Sequence, residues 1–170
     1  LYGSVVDIRL IKKVIKRKKI FIIDDCSQAH GAKLNDKRVG SLADISCFSL
    51  YPGKNLGAYG DAGIITTNNK FFYEKIKNFR NLGSIEKFKH TQVGVNSRMD
   101  TIQAAILSRK LTQLNILNGK RKKIAKLYDK MINNNNIVKL NYSSGSVYHQ
   151  YVILTKKRNH IIKIFNTNKI

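Results

Sequence analysis

The chain has 170 residues, 42% of them hydrophobic, and a formal net charge of +22. That apolar share supports a packed core and excludes a disordered chain, and no apolar run is long enough to cross a bilayer. The charge invites a nucleic-acid reading, but it is spread as lysine among asparagine and isoleucine, and the densest runs, Lys16-Arg17-Lys18-Lys19 and Lys120-Arg121-Lys122-Lys123, lack interleaved base-stacking aromatics.

In chain order, Asp7 to Lys16 has isoleucines and leucine at helical spacing behind a capping aspartate. Lys19 to Ile23 is a continuous apolar run, which predicts a parallel strand buried on both faces. It ends in Asp24-Asp25, followed by Cys26-Ser27-Gln28-Ala29-His30-Gly31, at the strand terminus where open α/β sheets bind ligands. There Asp25 is suited to pair with a cationic ring nitrogen and Gln28 to hydrogen-bond a ring substituent. The plainer alternative is that Asp24 or Asp25 caps a following helix. Ala32 to Arg38 reads as a hairpin around Asn35-Asp36.

Ile45-Ser46-Cys47-Phe48-Ser49 is a second strand, stopped by Pro52-Gly53, the only proline in the chain. Lys54 therefore lies on a loop just past a strand end. A lysine desolvated there can form a Schiff base with an aldehyde cofactor, while Ser49 can donate its hydroxyl to a phosphate. One more solvated lysine is the competing reading. Gly57, Gly60 and Gly63 bracket Asp61 and let backbone pass close to a ligand. Ala62 to Thr67 reads as a strand, and Asn68 or Asn69 as the cap of a helix to about Arg80. Gly83 to Gly94 reads as a loop containing His90. From Ser97 or Asp100 an amphipathic helix runs through Leu117, with a kink or end at Asn118-Gly119, and continues over Lys122 to Ile132. Asn133 to Asn136 is a loop, Tyr148 to Leu154 a strand, and the basic remainder is expected to fray.

Two cysteines without metal or redox spacing indicate buried thiols in a reducing cytoplasm, with no metal site. The opening Leu1-Tyr2-Gly3 has neither an initiator methionine nor a signal-peptide layout, so the chain is expected to be part of a longer protein.

Four stretches together carry a resemblance: Asp24 to Gly31; Ser49 to Ala58; Gly60-Asp61 to Thr66; and Gly94-Val95-Asn96-Ser97-Arg98-Met99-Asp100-Thr101-Ile102-Gln103-Ala104-Ala105. In this order they resemble the DegT/DnrJ-type sugar aminotransferases. The resemblance implies an α/β fold of the aspartate-aminotransferase type: a mixed, mostly parallel sheet with flanking helices, belonging to a cofactor-binding large domain over 1–117, and the start of a small α+β domain over 118–170. It implies pyridoxal 5′-phosphate as cofactor and amination of a nucleotide-linked keto sugar with glutamate as donor. Lys54 would form the Schiff base and shuttle the proton, Asp25 would pair with the pyridinium nitrogen, Gln28 would contact the ring or its phenolic oxygen, and Ser49 would bind the phosphate. Asn96 would reach the phosphate in a neighbouring subunit, making the site a homodimer property, with Arg98 near an anionic group. His30 and His90 are expected to make structural hydrogen bonds. Related sugar dehydratases carry histidine in place of the lysine, so Lys54 argues against dehydration. Leu50 stands where an aromatic is common and Ala62 where a glycine is. The family's N-terminal phosphate loop, its ring-stacking aromatic and the rest of its small domain fall outside these residues. The alternatives are a basic nucleic-acid-binding module, supported only by the charge, or a folded but inactive fragment of an aminotransferase.

Overall fold

The computed structural model describes residues 1–15 and 19–170. The first three residues of the basic run, with the expected end of the first helix, lie outside the described residues. Helix α1 (Ile8–Val14) is capped as the sequence predicts, Asp7 accepting from Arg9 N–H at 3.0 Å. Strand β1 (Ile23–Asp25) comes next, followed by the hairpin β2 (Lys33–Leu34) and β3 (Lys37–Arg38), turned at Asn35 with φ 54°. Strands β4 (Ile45–Ser49) and β5 (Gly63–Thr66) follow, then helix α2 (Lys70–Phe79), capped by Asn69 through Phe71 N–H at 2.9 Å.

The sheet has the order β1-β4-β5, with one parallel and one antiparallel pairing. It is mixed, as expected, and β1 differs from the sequence reading in position and burial. Pairing begins only at Ile23, which faces Ile45 at the start of β4. Upstream, Ile22 N–H donates to Asp44 Oδ2 at 2.8 Å, and the Ile22 carbonyl accepts from Asp44 and Ile45 at 3.2 Å each. Ile20, Phe21 and Ile23 are exposed; among the described residues β1 is an edge strand paired only with β4, and the Phe21 ring meets Phe72 of α2 edge to face, with centroids 5.0 Å apart.

The segment read as a loop from Gly83 to Gly94 contains a second hairpin, β6 (Ser84–Glu86) and β7 (Lys89–His90). Its turn places Phe88 at φ 66°, a conformation that residue type does not advertise. Helices α3 (Thr101–Leu111) and α4 (Leu114–Met131) replace the expected single run, and the break falls at Thr112-Gln113 rather than at Asn118-Gly119. Thr112 Oγ1 donates to the Arg109 carbonyl at 2.8 Å and Gln113 N–H to the Lys110 carbonyl at 3.0 Å, which ends α3. Helix α4 runs through Gly119 without interruption, and a Cβ there would meet nothing within 4 Å.

The final third forms a two-stranded ladder, β8 (Val138–Lys139) with β9 (Ile153–Leu154), and a helix α5 (Arg158–Thr167). The expected strand from Tyr148 is confined to its last two residues, since Tyr148 sits at φ 47° and leaves the extended region. The expected frayed end is helical: it lacks Gly and Pro, and Ile161, Ile162 and Phe165 recur at helical spacing.

Two buried clusters matter for the site. Leu50, Leu56 and Ala58 pack with Leu107 of α3 and Leu114 of α4. Cys26, Ala29, Ala32 and Val39 pack with Val147. The Cys26 thiol is fully buried and pushed up to about 12, by burial first and then by Asp24, so it stays protonated and inert.

Candidate active site

Parallel register sets the first relation. Asp25 pairs with Cys47, so the last residue of β1 and the face of β4 that carries Cys47 and Ser49 share one side of the sheet. Across the other edge of β4, Ser49 is opposite Gly63, which brings no side chain into the space over it. Asp25 caps no helix, because turns follow β1; its Oδ1 accepts from Ser27 N–H at 3.0 Å. Bonds from Ser27, side chain and then backbone, hold the exposed Asp25 carboxyl below the ordinary carboxylate range, and the Lys54 charge acts in the same direction.

Lys54 sits on a loop built to stay in place. Leu50 N–H donates to the Ala62 carbonyl, and Ala58 N–H to the Leu50 carbonyl, both at 2.8 Å, so the loop closes on its own base. Lys54 N–H donates to the Tyr51 carbonyl at 2.9 Å. Leu50, departing from the family pattern, is 1% exposed and serves as the loop's apolar root. Gly57 is required because a Cβ would strike the Pro52 carbonyl, so this glycine serves the loop's own fold. Helix α3 clamps the far side: Lys110 Nζ donates to the Gly57 carbonyl at 2.7 Å, and Gln103 Oε1 accepts from Tyr59 N–H at 2.8 Å. The Lys54 side chain itself is half-buried and makes no hydrogen bond among the described residues.

A buried polar chain lies behind the lysine. Asn118 Nδ2 of α4 donates to the His30 carbonyl at 2.8 Å. Asn55 Nδ2 donates to Asn118 Oδ1 at 2.9 Å and to the Val147 carbonyl at 3.2 Å, and Asn55 Oδ1 meets His149 Nδ1 at 2.9 Å. Sequence reading passed over Asn55, Asn118 and His149. The one available signal was Asn55 standing beside Lys54; His149 was hidden in a run with strand-like alternation.

His30 departs from the expected structural hydrogen bond. It is 3% exposed, neither ring nitrogen has a hydrogen-bond partner among the described residues, and the ring lies against Phe48 with centroids 5.4 Å apart. Burial brings it down to about 4; the Lys54 and His149 charges add to this and the nearby Ser49 backbone opposes it. The unfolded chain takes up a proton near the ordinary value of 6.5 that folded His30 refuses until about 4. Stability is therefore expected to fall as pH falls through that window, by on the order of 3 kcal/mol. Denaturant melts at pH 7 and pH 4.5 check this, and His30→Phe should remove most of the difference. His90 does make the expected bond, Nδ1 to the Leu82 carbonyl at 3.0 Å.

Gln28 lies half-buried with its Oε1 accepting from Tyr2 N–H. Asn96 and Arg98 form a separate group. Arg98 Nε donates to Asn96 Oδ1 at 3.0 Å, and Asn96 bridges to Asn81. They line a groove of about 1010 Å³ with Cys47, Asp61 and Met99, and Asp25, Gln28, Ser49 and Lys54 do not line it.

The first set fits an aldehyde cofactor with a basic ring nitrogen and an anionic tail: an ionised carboxylate, a hydroxyl with open space beside it, and a primary amine on a braced loop. The DegT/DnrJ/EryC1/StrS aminotransferase family model matches residues 1–170. The chain is 45% identical over 160 residues to the dTDP-3-amino-3,6-dideoxy-alpha-D-galactopyranose transaminase of Aneurinibacillus thermoaerophilus, covering 93% of this chain and 44% of that protein. It is 39% identical over 128 residues to the dTDP-3-amino-3,4,6-trideoxy-alpha-D-glucose transaminase of Streptomyces venezuelae, covering 75% of this chain and 34% of the relative. Its structure matches that of NtdA from Bacillus subtilis with bound cofactor PMP at a TM-score of 0.87 and 31% identity, over 99% of this chain and 40% of that one. The chain thus spans less than half the length of each of these relatives. PMP is the amine form of pyridoxal phosphate, the cofactor class expected from the sequence. The chain belongs to the DegT/DnrJ/EryC1/StrS aminotransferase family.

Proposed function

We propose that the protein is a pyridoxal-phosphate-dependent aminotransferase that moves an amino group from glutamate to a nucleotide-linked keto sugar. The observation that carries this reading is the Asp25–Cys47 register, which sets an ionised carboxylate beside the strand leading to Ser49 and Lys54. Lys54 is the attachment point, and its Nζ, once released, would move the proton between the substrate carbon that bears or receives the amino group and the cofactor's C4′ in each half-reaction. Asp25 holds the ring nitrogen protonated, Gln28 orients a ring substituent, and Ser49 donates to the phosphate. Pyridoxal phosphate, when bound, supplies the electron sink that makes that proton removable. Asn96 and Arg98 lie on a separate groove in this chain; they serve the site of a second copy, in a cytoplasmic homodimer whose cofactor domain includes 1–117 and whose smaller domain begins at 118.

The test is the half-reaction. Glutamate added to the cofactor-loaded protein is expected to convert the cofactor to its amine form with one equivalent of 2-oxoglutarate released. A nucleotide-linked keto sugar should then restore the starting absorbance. A folded, loaded protein that accepts no amino donor contradicts the reading.

A further inference from the structure

The hydrogen-bond chain behind Lys54 fixes more than position. A main-chain carbonyl only accepts, so the Asn118 atom at the His30 carbonyl must be the amide nitrogen. By the same rule the Asn55 atom at the Val147 carbonyl is its nitrogen. The two asparagines then agree, Asn55 Nδ2 donating to Asn118 Oδ1. What remains for His149 is Asn55 Oδ1, an acceptor. Two main-chain carbonyls thus determine which imidazole nitrogen carries the proton.

We propose that Asn55 is a positioning residue: it holds His149 as the Nδ1–H tautomer and leaves the Nε2 lone pair as a hydrogen-bond acceptor for an N–H or O–H donor of a ligand at Lys54. Asn55 follows Lys54 directly in the chain, so ring and amine are tied to one loop. His149 is half-buried, and among the described residues its Nε2 makes no hydrogen bond. Burial, then Lys54 and Arg121, lower its proton affinity and favour the neutral ring that the tautomer requires. His30 is the other titratable group that senses it. A neutral acceptor suits a sugar hydroxyl or an amine and would repel no cation at Lys54. The ligand class rests on the aminotransferase reading; the tautomer does not.

The experiment is nitrogen-15 NMR of the histidine rings in the chain without cofactor, with the His149 signals identified by their loss in His149→Gln. The expected result is a protonated Nδ1 and a bare Nε2 at neutral pH. Asn55→Ala should move the proton to Nε2. A wild-type ring protonated at Nε2 overturns the proposal even if Asn55→Ala fails to fold, and so does an unchanged tautomer in a folded Asn55→Ala. Cofactor labelling of Lys54 fails or succeeds independently of this measurement, so the two claims can fall separately.

Discussion

Lys54→Ala is expected to abolish covalent retention of pyridoxal phosphate and to lower transamination by about 10²–10⁴-fold or more, the range for loss of a positioned proton-transfer group. The same substitution should leave stability within about 0.5 kcal/mol of wild type. The lysine side chain makes no hydrogen bond among the described residues, and the loop is held instead by Leu50, Leu56, Ala58 and main-chain bonds. Activity and melting temperature measured on one preparation separate a chemical role from a structural one. A parallel loss of both would place Lys54 among the loop's supports.

Asn118→Leu is expected to have the largest effect on stability. Asn118 is 5% exposed, and its loss strands the His30 carbonyl and one Asn55 N–H inside the protein. Each stranded group costs about 1–3 kcal/mol, so a loss of about 2–6 kcal/mol follows for the two. For a domain of this size that is a fall in Tm on the order of 10 °C. Calorimetry checks it, and a change under 1 kcal/mol would mean that solvent reaches the network. Because Asn118 lies on α4 and Val147 on the segment after β8, the variant also tests whether those elements brace the Lys54 loop.

Much of this architecture was legible in the residues. The β4 strand from Ile45 to Ser49 ends before Pro52-Gly53 as turn chemistry requires, and the Asp7 and Asn69 caps sit where a side-chain oxygen precedes an apolar period. The placement of Asp25, Ser49 and Lys54 at or just past strand ends was readable because each belongs to a contiguous stretch there. What escaped depended on partners distant in sequence. The start of β1 was set by where β4 offers a partner, which the apolar run at 19–23 does not record. The break at Thr112-Gln113 rests on a hydroxyl turning back to a carbonyl, whereas Asn118-Gly119 has the composition of a break and none of the effect. The Asn118–Asn55–His149 chain joins residues up to 94 positions apart, and no local pattern marks it.

The charge of +22 sets no limit on this reading. Arg9 with Asp7 is the one ion pair among the described residues, and several lysines donate to main-chain carbonyls, Lys12 to Leu42 and Lys110 to Gly57 among them. The lysine surplus is thus spent partly on bracing loops and otherwise stays in solvent.

The central claim is that Lys54 anchors pyridoxal phosphate, and borohydride reduction followed by peptide mass mapping tests it most directly. Protein from the complete reading frame, incubated with the cofactor and reduced, should carry the added mass on the peptide containing Lys54, with none in Lys54→Ala. A folded protein labelled on other lysines to the same extent, or not labelled at all, would contradict the account.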